Sequence, residues 1–143
     1  MLNNLQEFKS VIESKTSEFL IECELNNDEL TLSIGLESVV KCIELLVSDS
    51  EFQFTTLIDI TAVDYPNRAE RFKIVYHFLS MAQNRRLRLT VNICDGEVVP
   101  SIVGIYSCAN WFEREVFDMY GVYFSGHPDL RRLLTDYGFT GHP

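Results

Sequence analysis

The chain predicts an α+β domain: a two-layer sandwich with helices on one face of a mostly antiparallel or mixed sheet of about five strands, plus a C-terminal helix and an extended arm. Three features predict it. Leu36, Val39, Val40, Ile43, Leu46 and Val47 make a helical stripe, with Glu37, Lys41 and Glu44 on the other side. Between Phe52 and Cys94, β-type segments follow one another across short polar turns, the pattern of antiparallel hairpins. From Asn110 a helix-forming stretch dense in aromatic and Arg residues runs into a polar tail.

In chain order, Leu5, Phe8 and Ile12 recur at helical spacing and predict a first helix to about Thr16. Phe19 to Cys23 reads as a short strand, and Asn26-Asn27-Asp28 as a turn. Leu30, Leu32 and Ile34 alternate with Thr31 and Ser33, so the next strand buries one face. The Leu36–Val47 helix lies on the sheet and stops at Ser48-Asp49-Ser50. Phe52 to Val63, rich in Thr, Ile and Phe, predicts a strand. After a turn at 64–67, apolar residues on both parities of Phe72 to Leu79 predict a central strand covered on both faces. Gln83-Asn84-Arg85 turns the chain into a half-exposed strand over 87–94. Pro100 to Tyr106 has no clear pattern.

The last helix carries the best local signals. Asn110 is a good N-cap, with Glu113 three residues on as an approximate capping box. Gly121 suits the left-handed stop. Arg114 and Asp118 are spaced to pair, and Phe112, Val116, Met119 and Tyr123 make the predicted apolar stripe. Trp111 and Tyr120 fall outside it. Residues 1–106 are expected to form the α+β core, and 107–143 the C-terminal helix and docking arm of the same domain.

Composition narrows the function classes. The 143 residues fit one domain, and 46% hydrophobic content is ordinary for a globular protein. Twelve Lys and Arg against 21 Asp and Glu give a net charge of −9, which argues against general nucleic-acid binding. Arg85, Arg86 and Arg88 form a local basic cluster, read first as a solvated hairpin end. No apolar run approaches the roughly 20 residues that span a bilayer, and the N-terminal residues do not read as a secretory signal. Cys23, Cys42, Cys94 and Cys108 show no C-x-x-C spacing and suggest buried thiols in a reducing compartment.

Candidate chemistry is sparse. Glu115 and Asp118 share a helix face and could divide acid and base roles, but salt-bridged carboxylates are commoner. His127 and His142 sit in Gly-His-Pro triplets without a third metal ligand type nearby. His77 reads as a satisfied core histidine. Cys94 and Cys108 lack a neighbouring activator in sequence. Neither a dinucleotide fingerprint nor a P-loop is present in the sequence. Arg131 and Arg132, in a Leu-Arg-Arg-Leu-Leu run, could pair with carboxylates on a partner.

Several ordered motifs go further. Glu113-Arg114-Glu115, Asp118-Met119-Tyr120-Gly121 and Phe124-x-Gly126-His127-Pro128-Asp129-Leu130-Arg131-Arg132-Leu133-Leu134 resemble the C subunit of proton-translocating NADH:quinone oxidoreductase, respiratory complex I. Thr135 to Pro143, Asp59 to Pro66, Arg71-Phe72 through His77, and Pro100-Ser101 before Ala109-Asn110-Trp111 are similar to that family as well. The likeness runs in order from about Asp59 to the end. It implies a non-catalytic structural subunit of the hydrophilic arm, supporting electron transfer from NADH to quinone coupled to proton translocation. It implies no cofactor in this chain: partner subunits carry FMN and iron–sulfur clusters and bind quinone. The expected partners are the quinone-site subunit and the terminal iron–sulfur subunit. The expected place is the cytoplasmic face of a bacterial inner membrane, or the matrix side in a mitochondrion. Interface roles are carried to Trp111, Glu113, Arg114, Glu115, Asp118, Tyr120, His127, Arg131 and Arg132. The family continues past the position of His142-Pro143, so a truncated or short member is expected. Alternatives are a related quinone-linked dehydrogenase or membrane-bound hydrogenase, a free-standing protein-binding module, and an enzyme using Glu115, Asp118 and His127.

Overall fold

A computed structural model describes residues 5–127, and its layers follow the predicted sandwich. The elements are α1 (Leu5–Lys15), β1 (Leu20–Asn26), β2 (Glu29–Ile34), a 3-10 turn (Leu36–Ser38), α2 (Val39–Ser48), β3 (Thr56–Asp64), β4 (Phe72–Ser80), β5 (Arg85–Ile93), β6 (Val99–Pro100), α3 (Ala109–Tyr120) and β7 (Phe124–Ser125). The main sheet has the order β1-β2-β5-β4-β3. Its neighbours are antiparallel except β2 and β5, which run parallel.

That order follows from one long step and two short ones. The chain leaves β2, crosses with α2, and enters β3 at the far edge. Two hairpins then bring it back inward until β5 closes against β2, with Leu30 opposite Leu87 and Ile34 opposite Val91. The β1–β2 turn uses Asn27 and Asp28 at φ 52° and 63°. These residue types tolerate the left-handed region, and a two-residue turn with both φ values positive matches strand twist.

One sheet face and the helices share a single apolar cluster. Val39, Cys42, Ile43 and Leu46 line the buried side of α2, at the spacing of one helix face. Phe8 and Ile12 do the same for α1. Phe8 meets Phe52 and Phe54 edge-on at 5.8 and 5.9 Å. From the sheet come Phe72, Ile74, Tyr76 and Phe78 of β4 and Leu87, Leu89, Val91 and Ile93 of β5. Residues on both sides of position 106 enter this cluster, including Tyr106, Ala109, Val116 and Phe124.

The structure corrects several readings. Phe52–Phe54 is not strand: Gln53 has φ 50°, so the two Phe side chains reach the core from a turn and β3 starts at Thr56. The middle strand is β5, with β4 beside it. The second face of β4 is not covered by helices. It carries half-exposed Lys73, His77 and Leu79, and only Val75 among them is buried. His77 therefore belongs to the open face, not the core. Only Cys42 is fully buried; Cys23 is half-buried, and Cys94 and Cys108 are exposed. Burial pushes the Cys42 thiol up to about 12 and the Cys23 thiol up to about 11, so neither is poised as a thiolate nucleophile.

Two substitutions separate packing from polarity. Leu46→Ala should cost about 2–5 kcal/mol in denaturant unfolding, because a fully buried side chain leaves a cavity. Tyr76→Phe should cost no more than roughly 0.5 kcal/mol or should stabilise, because the buried Tyr76 hydroxyl has no hydrogen-bond partner among the described residues.

Candidate docking site

Helix α3 positions most of the predicted site residues. It packs on β3, and Ala109, Glu113 and Val116 lie on its buried side. Phe72 receives Tyr120 edge-on at 6.2 Å, which leaves Tyr120 half-buried. The helix ends as expected: Gly121 adopts φ 75° and its N–H bonds to the Phe117 carbonyl at 2.8 Å.

The start of α3 differs from the expected capping box. Ala109 is its first residue, and Cys108 precedes it without a side-chain cap. Asn110 lies inside the first turn, its Oδ1 buried with no hydrogen-bond partner among the described residues. Its carbonyl instead accepts from His127 Nε2 at 3.0 Å. Glu113 is fully buried and points away from the helix start. One of its carboxylate oxygens accepts from Ser101 Oγ at 2.6 Å, and the other accepts from the Ile102 N–H at 2.9 Å. Burial raises its pKa above the ordinary carboxylate value; the bonds from Ser101 and Ile102 and the charge of His127 oppose that. The segment it holds follows β6, which pairs in parallel with β7 just beyond α3, Val99 opposite Phe124. The unpatterned Pro100–Tyr106 stretch is thus where α3 is tied down.

The predicted apolar stripe is rotated. Val116 is buried, but Phe112 and Met119 flank the contact half-exposed, and Tyr123 lies beyond the helix, exposed, with its ring 5.1 Å from Phe117. Hydropathy alone assigns Glu113 to the wet side, which shifts the stripe. The geometry needs Glu113 on the same side as Ala109 and Val116.

The outer side presents Trp111, which is 52% exposed. The Arg114 guanidinium carbon lies 5.9 Å from its ring, and Arg114 Nε is buried with no hydrogen-bond partner among the described residues. Glu115 is half-buried and Asp118 fully buried. The Arg114–Asp118 pair expected from spacing is not among the ion pairs of the described residues; Asp118 is engaged in another interaction. Of the residues given interface roles, Trp111 is exposed, and Arg114, Glu115, Tyr120 and His127 are half-buried. Glu113 and Asp118 are hidden in the isolated chain, so neither offers its carboxylate at an open surface. Arg131, Arg132 and His142 lie outside the described residues. Among the described residues, no three His, Cys, Asp or Glu side chains gather as a metal site requires.

Residues 32–143 match the family described as the respiratory-chain NADH dehydrogenase 30 Kd subunit. The chain belongs to this family. Relatives bear the name of the C subunit of NADH-quinone oxidoreductase. The one from Dinoroseobacter shibae is 55% identical over 97% of this chain and 65% of its own length. Those from Roseobacter denitrificans and Ruegeria pomeroyi are each 51% identical over the whole chain and 72% of their own length. The chain thus spans about two thirds of the length of these relatives. The matched segment of this 30 Kd family member contains α3, the Ser101–Ile102 segment and the β6–β7 pair. No helix of the described residues is long and apolar enough to cross a membrane.

Glu113→Ala should destabilise the fold by about 1–3 kcal/mol, since it strands the buried Ile102 N–H and the Ser101 hydroxyl. Because the folded pKa of Glu113 is raised, the native state holds its proton to higher pH than the unfolded chain does. Its contribution is full below the ordinary carboxylate value of 4.5 and is lost as pH rises through the raised native value. Glu113→Gln should flatten that part of the stability–pH curve; an unchanged slope in denaturant melts would show that another group supplies it.

Proposed function

We propose that this chain is a non-catalytic structural subunit of the peripheral arm of NADH:quinone oxidoreductase, and that the outer side of α3 is part of its docking surface. The observation that carries this reading is a half-exposed Trp beside an Arg on a helix held in place by a buried carboxylate, in a chain of the 30 Kd subunit family. Trp and Arg are enriched at the energetic centres of interfaces, where a rigid ring and a forked donor gain most from losing water. Arg114 is half-buried beside the Trp111 ring, and a guanidinium there suits a carboxylate supplied by a neighbour.

In this role the protein acts by position. It holds neighbouring subunits that carry FMN, iron–sulfur clusters and the quinone site, so electrons pass from NADH to quinone while the complex translocates protons. The favoured neighbours are the quinone-site subunit and the terminal iron–sulfur subunit, and the favoured place is the cytoplasmic side of a bacterial inner membrane. The names of the relatives favour NADH over another electron donor. An acid–base role for Glu115 and Asp118 gains no support from burial, because one is half-buried and the other fully enclosed.

Affinity purification of the tagged full chain from native membranes tests the proposal. The complex should be recovered with NADH-oxidising activity. Trp111→Ala should leave the isolated fold within about 0.5 kcal/mol yet weaken association by about 2 kcal/mol, roughly 30-fold. Recovery of the folded chain alone would overturn the proposal, and undiminished recovery with Trp111→Ala would remove α3 from the docking surface.

A further inference from the structure

The open face of the sheet carries a hydrogen-bonded relay that crosses four strands. Arg88 of β5 donates from one terminal nitrogen to Glu29 of β2 at 2.5 Å. Its Nε–H points at His77 Nε2 of β4 at 3.4 Å. His77 Nδ1 lies 2.6 Å from Asp59 Oδ1 of β3. Pairing places Asp59 opposite His77 and His77 opposite Arg88, so the sheet register itself builds the relay.

Donor and acceptor rules leave one arrangement. An Arg Nε can only donate, so Nε2 of His77 must be the accepting, proton-free nitrogen. Nδ1 must then carry the proton and donate to Asp59. The opposite neutral tautomer fails twice: it aims an N–H at the Arg88 N–H, and a lone pair at the Asp59 carboxylate. The doubly protonated ring keeps the Asp59 bond but turns the Arg88 link into a contact between two cations.

We propose that His77 is a pH-responsive link in the open sheet face, held as the Nδ1–H tautomer by Asp59 and Arg88, and that its protonation breaks the Arg88 contact while the Asp59 and Glu29 bonds persist. The titratable and charged groups around it among the described residues are Asp59 on β3, Arg86 and Arg88 on β5, Glu29 on β2, Lys73 on its own strand, and, across the same concavity, Glu22 and Glu24 on β1 and Tyr65 after β3. Asp59 is the carboxylate bonded to the ring, and Arg88 the cation nearest Nε2, so the response falls at the β4–β5 link. That link lies in a concavity of about 590 Å³ on the open face, whose shape and charge would change with it.

Imidazole and guanidinium ¹⁵N resonances of the isotope-labelled full chain test this across a pH titration. At alkaline pH, His77 should show a protonated Nδ1 and a bare Nε2. On acidification, the Arg88 Nε resonance should shift with the same midpoint as His77, and His77→Gln should abolish that shift. A protonated Nε2 in the neutral ring, or an Arg88 resonance that stays flat while His77 titrates, would overturn the proposal. Both wild-type readings stand even if His77→Gln fails to fold.

Discussion

The buried carboxylate of Glu113 is the constraint on which the orientation of α3, and with it the proposed docking side, depends. A helix lying on the edge of a sheet can rotate about its axis at little cost if only apolar contacts hold it, because hydrophobic burial is non-directional. Two short hydrogen bonds to Ser101 and Ile102 remove that freedom. They work because the group is enclosed: an unmet acceptor there would cost far more than the bond gains. With Glu113 turned inward, Trp111 and Arg114 are carried to the other side. The β6–β7 pair binds the segments that flank α3, so the helix is clamped at both ends as well as in the middle.

The same division runs through the whole molecule. One face of the sheet is apolar and is occupied by α1, α2, α3 and the aromatic contacts of Phe8, Phe52 and Phe54. The other face is polar and is ordered by directional bonds instead: Ser33 to Thr90, Glu29 to Arg88, Asp59 to His77. Non-directional burial sets the layers, and hydrogen bonds set the register of what each surface shows. This arrangement suits a subunit whose work is to present surfaces at fixed positions.

Much of the fold was legible because period and punctuation agreed. The α2 stripe, the Asn27-Asp28 turn and the Gly121 stop were read from residue types whose conformational preferences are strong. The parallel pairing of β2 with β5 was not, since nothing in a strand states its distant partner. The proposed docking site was legible in part. Aromatic and Arg density drew attention to the segment that forms α3, and its motifs marked the family. The orientation is not legible, because Glu113 has the spacing of a capping residue while its actual partners lie in a stretch without pattern. Asn110 and Glu113 satisfied a capping rule on paper, but the tertiary partners Ser101 and Ile102 outcompeted it. Phe52–Phe54 was misread for a related reason: aromatic content resembles a strand, and the positive φ of Gln53 has no sequence marker.

The central claim is that α3 turns position 111 toward a neighbouring subunit. Site-specific photocrosslinking addresses it directly, with a photoreactive phenylalanine analogue at Trp111 in the full chain within native membranes. The account predicts a crosslink to another subunit of NADH:quinone oxidoreductase, lost when the analogue is moved to exposed Ile21 on β1. Assembly of the chain into the complex with no crosslink from position 111 would contradict it.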